Sequence, residues 1–124
     1  MKYVPVVCGA LALTAALTAR GASFDRAEFE AAQAAGKPVL VAVHASWCPV
    51  DARQKSIVDA LLSRARMSEY RAFVVAFDGQ KDALKRLGVQ THGTLIVYRG
   101  GREVARSSGE TDAHKIAALL ESAL

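Results

Sequence analysis

The chain is poor in cysteine. It has two in 124 residues, and one of them, Cys8, lies in an apolar run near the start. Without that segment Cys48 stands alone, so no internal disulfide framework can form. Histidine is also scarce, with three residues, and no two of the histidines and cysteines stand at a recognised metal-ligand spacing. There is no cluster of one charge. The formal charge is +4, but Arg53, Lys55, Arg64, Arg66, Arg71, Lys81, Lys85 and Arg86 alternate with acids and apolar residues. Such interleaving describes solvated helix faces and excludes a nucleic-acid patch. There are no internal repeats and no low-complexity linkers, which leaves room for one domain with one core.

What is present begins with a leader-like segment. Lys2 is followed by an apolar run from Tyr3 to Ala19 and then by small residues at Ala19-Arg20-Gly21-Ala22-Ser23. The pattern is that of a secretory signal peptide over residues 1–21, with cleavage after Ala19 or Gly21, and a domain over 22–124. The run is short and rich in Ala and Thr for a spanning helix, and an uncleaved inner-membrane anchor is the alternative. Val7 before Cys8 does not suit lipidation. Removing Lys2 and Arg20 leaves a small positive excess. The expected location is periplasmic or secreted, and Cys48 is then an unpaired thiol in an oxidising compartment.

Asp25 with Glu28 three residues later marks a helix start, with Phe24, Ala27, Phe29, Ala31 and Ala34 as its apolar face and Gly36 as its stop. Val39–Ala45 is nearly all apolar, as expected of a central strand covered on both sides. A helix is expected from Pro49 to about Arg66, carrying Ile57, Val58, Leu61, Leu62 and Ala65. Arg71–Asp78 reads as a second buried strand and Gln80–Leu87 as a short helix ended by Gly88. Thr94–Tyr98 and Glu103–Arg106 form a hairpin through Arg99-Gly100-Gly101-Arg102. Thr111 would cap a last helix with Ile116, Leu119, Leu120 and Leu124 on one face. Strands separated by helices argue for parallel pairing, and the late hairpin adds an antiparallel edge.

The chemistry concentrates in Ala45-Ser46-Trp47-Cys48-Pro49-Val50-Asp51, between the central strand and the helix. A cysteine at a helix start sits among free N–H groups at the positive end of the dipole, which favours thiolate. This segment, the strand ending in Asp78, and Gly88-Val89 followed by Thr94–Gly101 together resemble the thioredoxin family over about Ser23 to Leu124. The resemblance implies an α/β thioredoxin fold: a central mixed sheet flanked by helices, with an extra N-terminal helix. It also implies thiol–disulfide exchange at Cys48, flanked by Trp47 and Pro49, with a substrate groove at His92, Gly93 and Thr94.

Several positions depart from that pattern. Asp51 stands where the family has its second, resolving cysteine. Ala42 replaces a buried aspartate, Val74 a lysine and Ser56 a helix proline. Gly93 occupies the cis-proline position, where glycine would leave the groove less rigid. A mixed disulfide on Cys48 would therefore be resolved from outside, by the partner's own second thiol or by a small thiol such as glutathione. An Asp51 carboxylate near the helix start would compete with and repel the Cys48 thiolate; equally, it is a helix-start residue with no chemical role. The expected protein is a monomer without a cofactor, acting on a cysteine-containing partner by a monothiol mechanism. The alternatives are a non-catalytic binding module and a weak metal site at Cys48 and His92, completed by Asp51 or His44. His92 would otherwise be a loop histidine, His44 a half-buried one, and His114 a surface one.

Overall fold

The computed structural model describes residues 21–124. The leader, its cleavage site and Cys8 lie outside the described residues. The order is β1 (Ala22–Ser23), α1 (Arg26–Ala34), β2 (Val39–His44), α2 (Pro49–Leu62), a 3-10 turn (Ala65–Met67), β3 (Arg71–Ala76), α3 (Lys81–Leu87), β4 (Thr94–Arg99), β5 (Arg102–Ser108) and α4 (Ala113–Glu121). The sheet order is β1-β3-β2-β4-β5, with β2 parallel to β3 and antiparallel to β4. This is the thioredoxin fold, a mixed five-stranded sheet in the α/β class. Among the described residues no helix is long and apolar enough to cross a membrane.

The alternation of side chains along β2 explains its apolar sequence. Val39, Val41 and Val43 enter one core layer with Phe29, Phe73, Val75, Leu84 and Ile96. Leu40 and Ala42 enter the other, with Val58, Leu61, Leu62, Leu95, Ile116 and Leu120. Both faces are thus covered, and the strand's C-terminal end is held between its two neighbours. Two buried phenols close the core. The Tyr70 hydroxyl donates to Leu120 O at 2.6 Å. Burial raises its pKa, and burial likewise pushes that of Tyr98 up to about 12.

Several expected element details change. In α1 the buried residues are Phe29 and Ala32; Ala27, Ala31 and Ala34 face solvent, because Phe24 and Phe29 supply the contact through a ring pair 5.3 Å apart. The Asp25 cap is present, its Oδ1 accepting from Glu28 N at 2.9 Å. The helix expected to reach Arg66 stops at Leu62, since Arg64 turns extended (φ −71°, ψ 142°) before the 3-10 turn. Asp112, not Thr111, caps α4, its carboxylate accepting from His114 N and Lys115 N. Leu124 is exposed and Ala123 packs inward in its place. The short β1 was not expected; it pairs with β3 through Ala22 opposite Phe73 and Ser23 opposite Val74. Gly21 permits that approach, since a Cβ there would stand 2.6 Å from Val74 Cγ2.

Candidate functional site

The site is built at the C-terminal end of β2, where the chain turns through Ala45-Ser46-Trp47 into α2. Cys48 is the N-cap of α2, extended at φ −94°, ψ 117°, and Pro49 fills the first turn. Proline is tolerated there because that N–H has no helical partner. No side chain caps α2. The positive helix end and its first-turn N–H groups therefore remain available beside a half-buried Cys48. Trp47 is 62% exposed, yet its indole N–H donates to Asp78 Oδ2 at 2.8 Å, which fixes the ring beside the thiol.

Asp51 is only 2% exposed. Its carboxylate turns away from the helix end and back toward β2. Oδ2 accepts from Ala45 N at 2.8 Å and pairs with His92 Nδ1 at 3.0 Å. The Asp51 carboxylate is thus bound to Ala45 N and His92 rather than to the α2 N–H groups, and it stays within 4.8 Å of the Cys48 sulfur. It ties the end of β2, the start of α2 and the loop before β4 together. The His92 ring stands edge-on to Trp47 and Phe77, with centroids 5.0 and 5.4 Å away. It is therefore held by two aromatic neighbours and one carboxylate rather than moving freely in a solvated loop.

Gly93 is not a loose point in the groove. Its N–H donates to Val43 O at 2.7 Å, and its carbonyl accepts from Gly109 N and Gln54 Nε2, each at 3.0 Å. It has φ +74°, and a Cβ there would lie 2.9 Å from Asp51 Oδ1. Glycine is required twice over, by the left-handed backbone and by the carboxylate beside it. Thr94 is buried and its hydroxyl donates to Thr91 O at 2.7 Å, so it braces the loop from inside.

Gln54 is a site residue that the sequence reading did not single out. It is fully buried. Its Nε2 reaches both Gly93 O and Glu110 O (2.9 Å), and its Oε1 meets His44 Nε2 at 3.1 Å. A signal for it existed: Asp51, Gln54, Val58 and Leu61 continue one helical stripe, so the two polar residues fall on the buried face. His44 belongs to this Gln54 pair and is not part of the Cys48 cluster. His114 is exposed, as expected of a surface histidine.

The structure brings together Cys48, Asp51 and His92. One donor atom from each lies within 4.8 Å of the other two. The set combines a free thiol, an imidazole and a buried carboxylate that orients the imidazole.

Comparison with known proteins agrees with this architecture. The family model described as Thioredoxin matches residues 21–122. The crystal structure of Trxlp from Edwardsiella tarda EIB202 is 44% identical, covers 79% of this chain and 95% of its own, and superposes with a TM-score of 0.77. A mutant thioredoxin from Halobacterium salinarum NRC-1 (20% identity, 82% and 87% coverage, TM-score 0.71) shares the fold. So does thioredoxin NaTrxh from Nicotiana alata (18% identity, 85% and 93% coverage, TM-score 0.72). No curated protein sequence matches the chain.

Proposed function

The chain belongs to the thioredoxin family, and on that premise we propose that it is an exported, periplasmic protein that exchanges thiols and disulfides through Cys48 alone. The observation that carries this reading is the setting of Cys48. It is a half-buried N-cap thiol beside an exposed, tethered Trp47, and the residue three positions on is a buried carboxylate engaged with His92. No second thiol is present among the described residues. Export rests on the leader-like first twenty residues of the sequence.

In the forward step the Cys48 thiolate attacks one sulfur of a partner's disulfide. The partner's S–S bond breaks, a Cys48–partner disulfide forms, and the departing thiolate takes a proton from solvent or a neighbouring acid. Release with net exchange requires a second attack, on the partner's sulfur of the mixed disulfide, by a further cysteine of the partner or by a small thiol such as glutathione. That attack frees Cys48 and leaves a disulfide on the attacking species. Trp47, with Val50 also exposed on the first turn of α2, offers an apolar contact for the partner's chain near the sulfur.

The test is the reaction of native protein with oxidised glutathione, followed by mass. One glutathione should add per chain, reduced glutathione should remove it, and Cys48→Ser should abolish it. A thiol that reacts only after denaturation would overturn the exchange reading and favour a non-catalytic binding module.

A further inference from the structure

We propose that Cys48, Asp51 and His92 form a zinc site with three protein ligands and one open position. The proposal uses the same thiol as the exchange reading but does not depend on exchange taking place. Its basis is the mutual approach of the three donor atoms within 4.8 Å. Tetrahedral zinc with its usual bond lengths places ligand atoms roughly 3.3–3.8 Å apart. Asp51 Oδ2 and His92 Nδ1, at 3.0 Å, are already that close, so the cation would take the place of their hydrogen bond, and the remaining approach falls to the half-buried Cys48 side chain, which rotates about its own bonds.

The donor chemistry selects the metal. A thiolate and a carboxylate together carry two negative charges, which a divalent cation neutralises, and imidazole adds a neutral donor. A monovalent copper ion would leave one negative charge in a site where Asp51 is 2% exposed. Magnesium and calcium demand more oxygen ligands than the cluster supplies. Zinc accepts sulfur, nitrogen and oxygen together.

The surroundings are those of supported ligands. Ala45 N holds the Asp51 carboxylate at 2.8 Å. Trp47 and Phe77 flank the His92 ring edge-on. The absence of a Cβ at Gly93 leaves Asp51 Oδ1 its place beside the loop. Contacts of this kind behind the ligands orient them and sharpen affinity. The fourth position faces outward, since Cys48 is half-buried and His92 is 32% exposed. Water or a thiol of a bound partner would fill it. Zinc displaces the thiol proton to the buffer on binding, and a zinc-bound Cys48 cannot attack a disulfide. The metal-loaded protein would therefore hold the thiol in a protected form.

The experiment is titration of reduced, metal-free protein with zinc against a chromophoric chelator, repeated with cobalt as a spectroscopic substitute. The expected result is one metal per chain, with a thiolate-to-cobalt charge-transfer band and the strong visible bands of tetrahedral cobalt. Cys48→Ser should remove the charge-transfer band. His92→Ala and Asp51→Asn should each weaken zinc by about tenfold or more. Asp51→Asn keeps the shape and an acceptor for Ala45 N, and circular dichroism confirms that each variant is folded. If it is not, His92→Ala and Cys48→Ser decide the question alone. No uptake, uptake unchanged by the variants, or one metal shared by two chains without Asp51 would each overturn the proposal. The glutathione assay, run with chelator present, reads the exchange function separately, so either idea can fail without the other.

Discussion

Gly93→Ala tests whether Asp51 and the loop before β4 are one mechanical unit. Two penalties apply. The left-handed backbone at φ +74° costs an alanine about 1–2 kcal/mol. The new Cβ would also stand 2.9 Å from Asp51 Oδ1, where ordinary contact begins at 3.4 Å. Neither side can give way freely. Asp51 is tethered through Oδ2 to Ala45 N and His92 Nδ1, and the loop is tethered by Gly93 N to Val43 O and by Gln54 to Gly93 O. Relieving the clash therefore breaks at least one buried hydrogen bond, at about 1–3 kcal/mol. The total is about 2–5 kcal/mol. Gly88→Ala is the control, because Gly88 has φ +64° with nothing within 4 Å of its Cβ position. It should lose only the backbone part, about 1–2 kcal/mol. Urea unfolding of wild type, Gly93→Ala, Asp51→Ala and the double variant closes a mutant cycle. The double variant should recover about 1–3 kcal/mol of coupling. If Gly93→Ala costs no more than Gly88→Ala, or if the two substitutions simply add, the carboxylate does not constrain the loop.

Two further outcomes follow from the same geometry and from the core. Asp51→Cys should place two thiols three residues apart across the first turn of α2, oxidise internally, and reduce protein disulfides faster than wild type. Its reduced form should lose about 1–3 kcal/mol, because Ala45 N and His92 lose their acceptor. A wild type that reduces disulfides as fast as this variant would refute the role given to Asp51. Above about pH 10 the protein should lose stability: the unfolded chain releases phenol protons that the folded chain retains on Tyr98 up to about pH 12, and on Tyr70 beyond that. The unfolded state then binds fewer protons, so the slope is negative, about 1.4 kcal/mol per pH unit for each tyrosine. Unfolding curves between about pH 9 and about pH 11.5 check this, and native tyrosinate absorbance appearing at an ordinary phenol pH would contradict it.

The centre of the sheet was legible because β2, β3 and β4 are short, largely apolar runs bounded by Gly, Pro and polar turns, and β2 carries valines on one face and Leu40 and Ala42 on the other. The hairpin was legible because Gly100 and Gly101 supply the two positive φ values that its tight turn needs. Element ends were less so. Nothing in the run Leu62-Ser63-Arg64-Ala65 announces that Arg64 will turn extended, since propensity changes little across it. The two residues of β1 have no periodicity to read, and they pair only because β3 is already there as a template. The sequence leaves the face of α1 ambiguous because alanines satisfy almost any helical stripe. The larger Phe24 and Phe29 decide which side meets the sheet.

In the site, Trp47, Cys48 and Pro49 could be found from their order after a buried strand. The meaning of Asp51 and Gly93 could not, because it lies in a contact between two residues far apart in sequence. Spacing allows a first-turn aspartate to point to solvent or inward, and a glycine in a loop suggests mobility when its hydrogen bonds are unknown. The structure joins the two. An inward carboxylate at 51 needs the space that a Cβ at 93 would occupy. The backbone at 93, with φ +74° and an N–H donated to Val43 O, excludes proline on both counts, since proline fixes φ near about −65° and has no N–H. An inward aspartate at 51 and a glycine at 93 are therefore coupled: each sets the space that the other occupies. Restoring a thiol at 51 removes the carboxylate but leaves a loop that Gln54, Val43 and Gly109 still hold in its present shape. The dithiol variant should accordingly exchange disulfides through a groove whose wall is still set by Gly93 and His92.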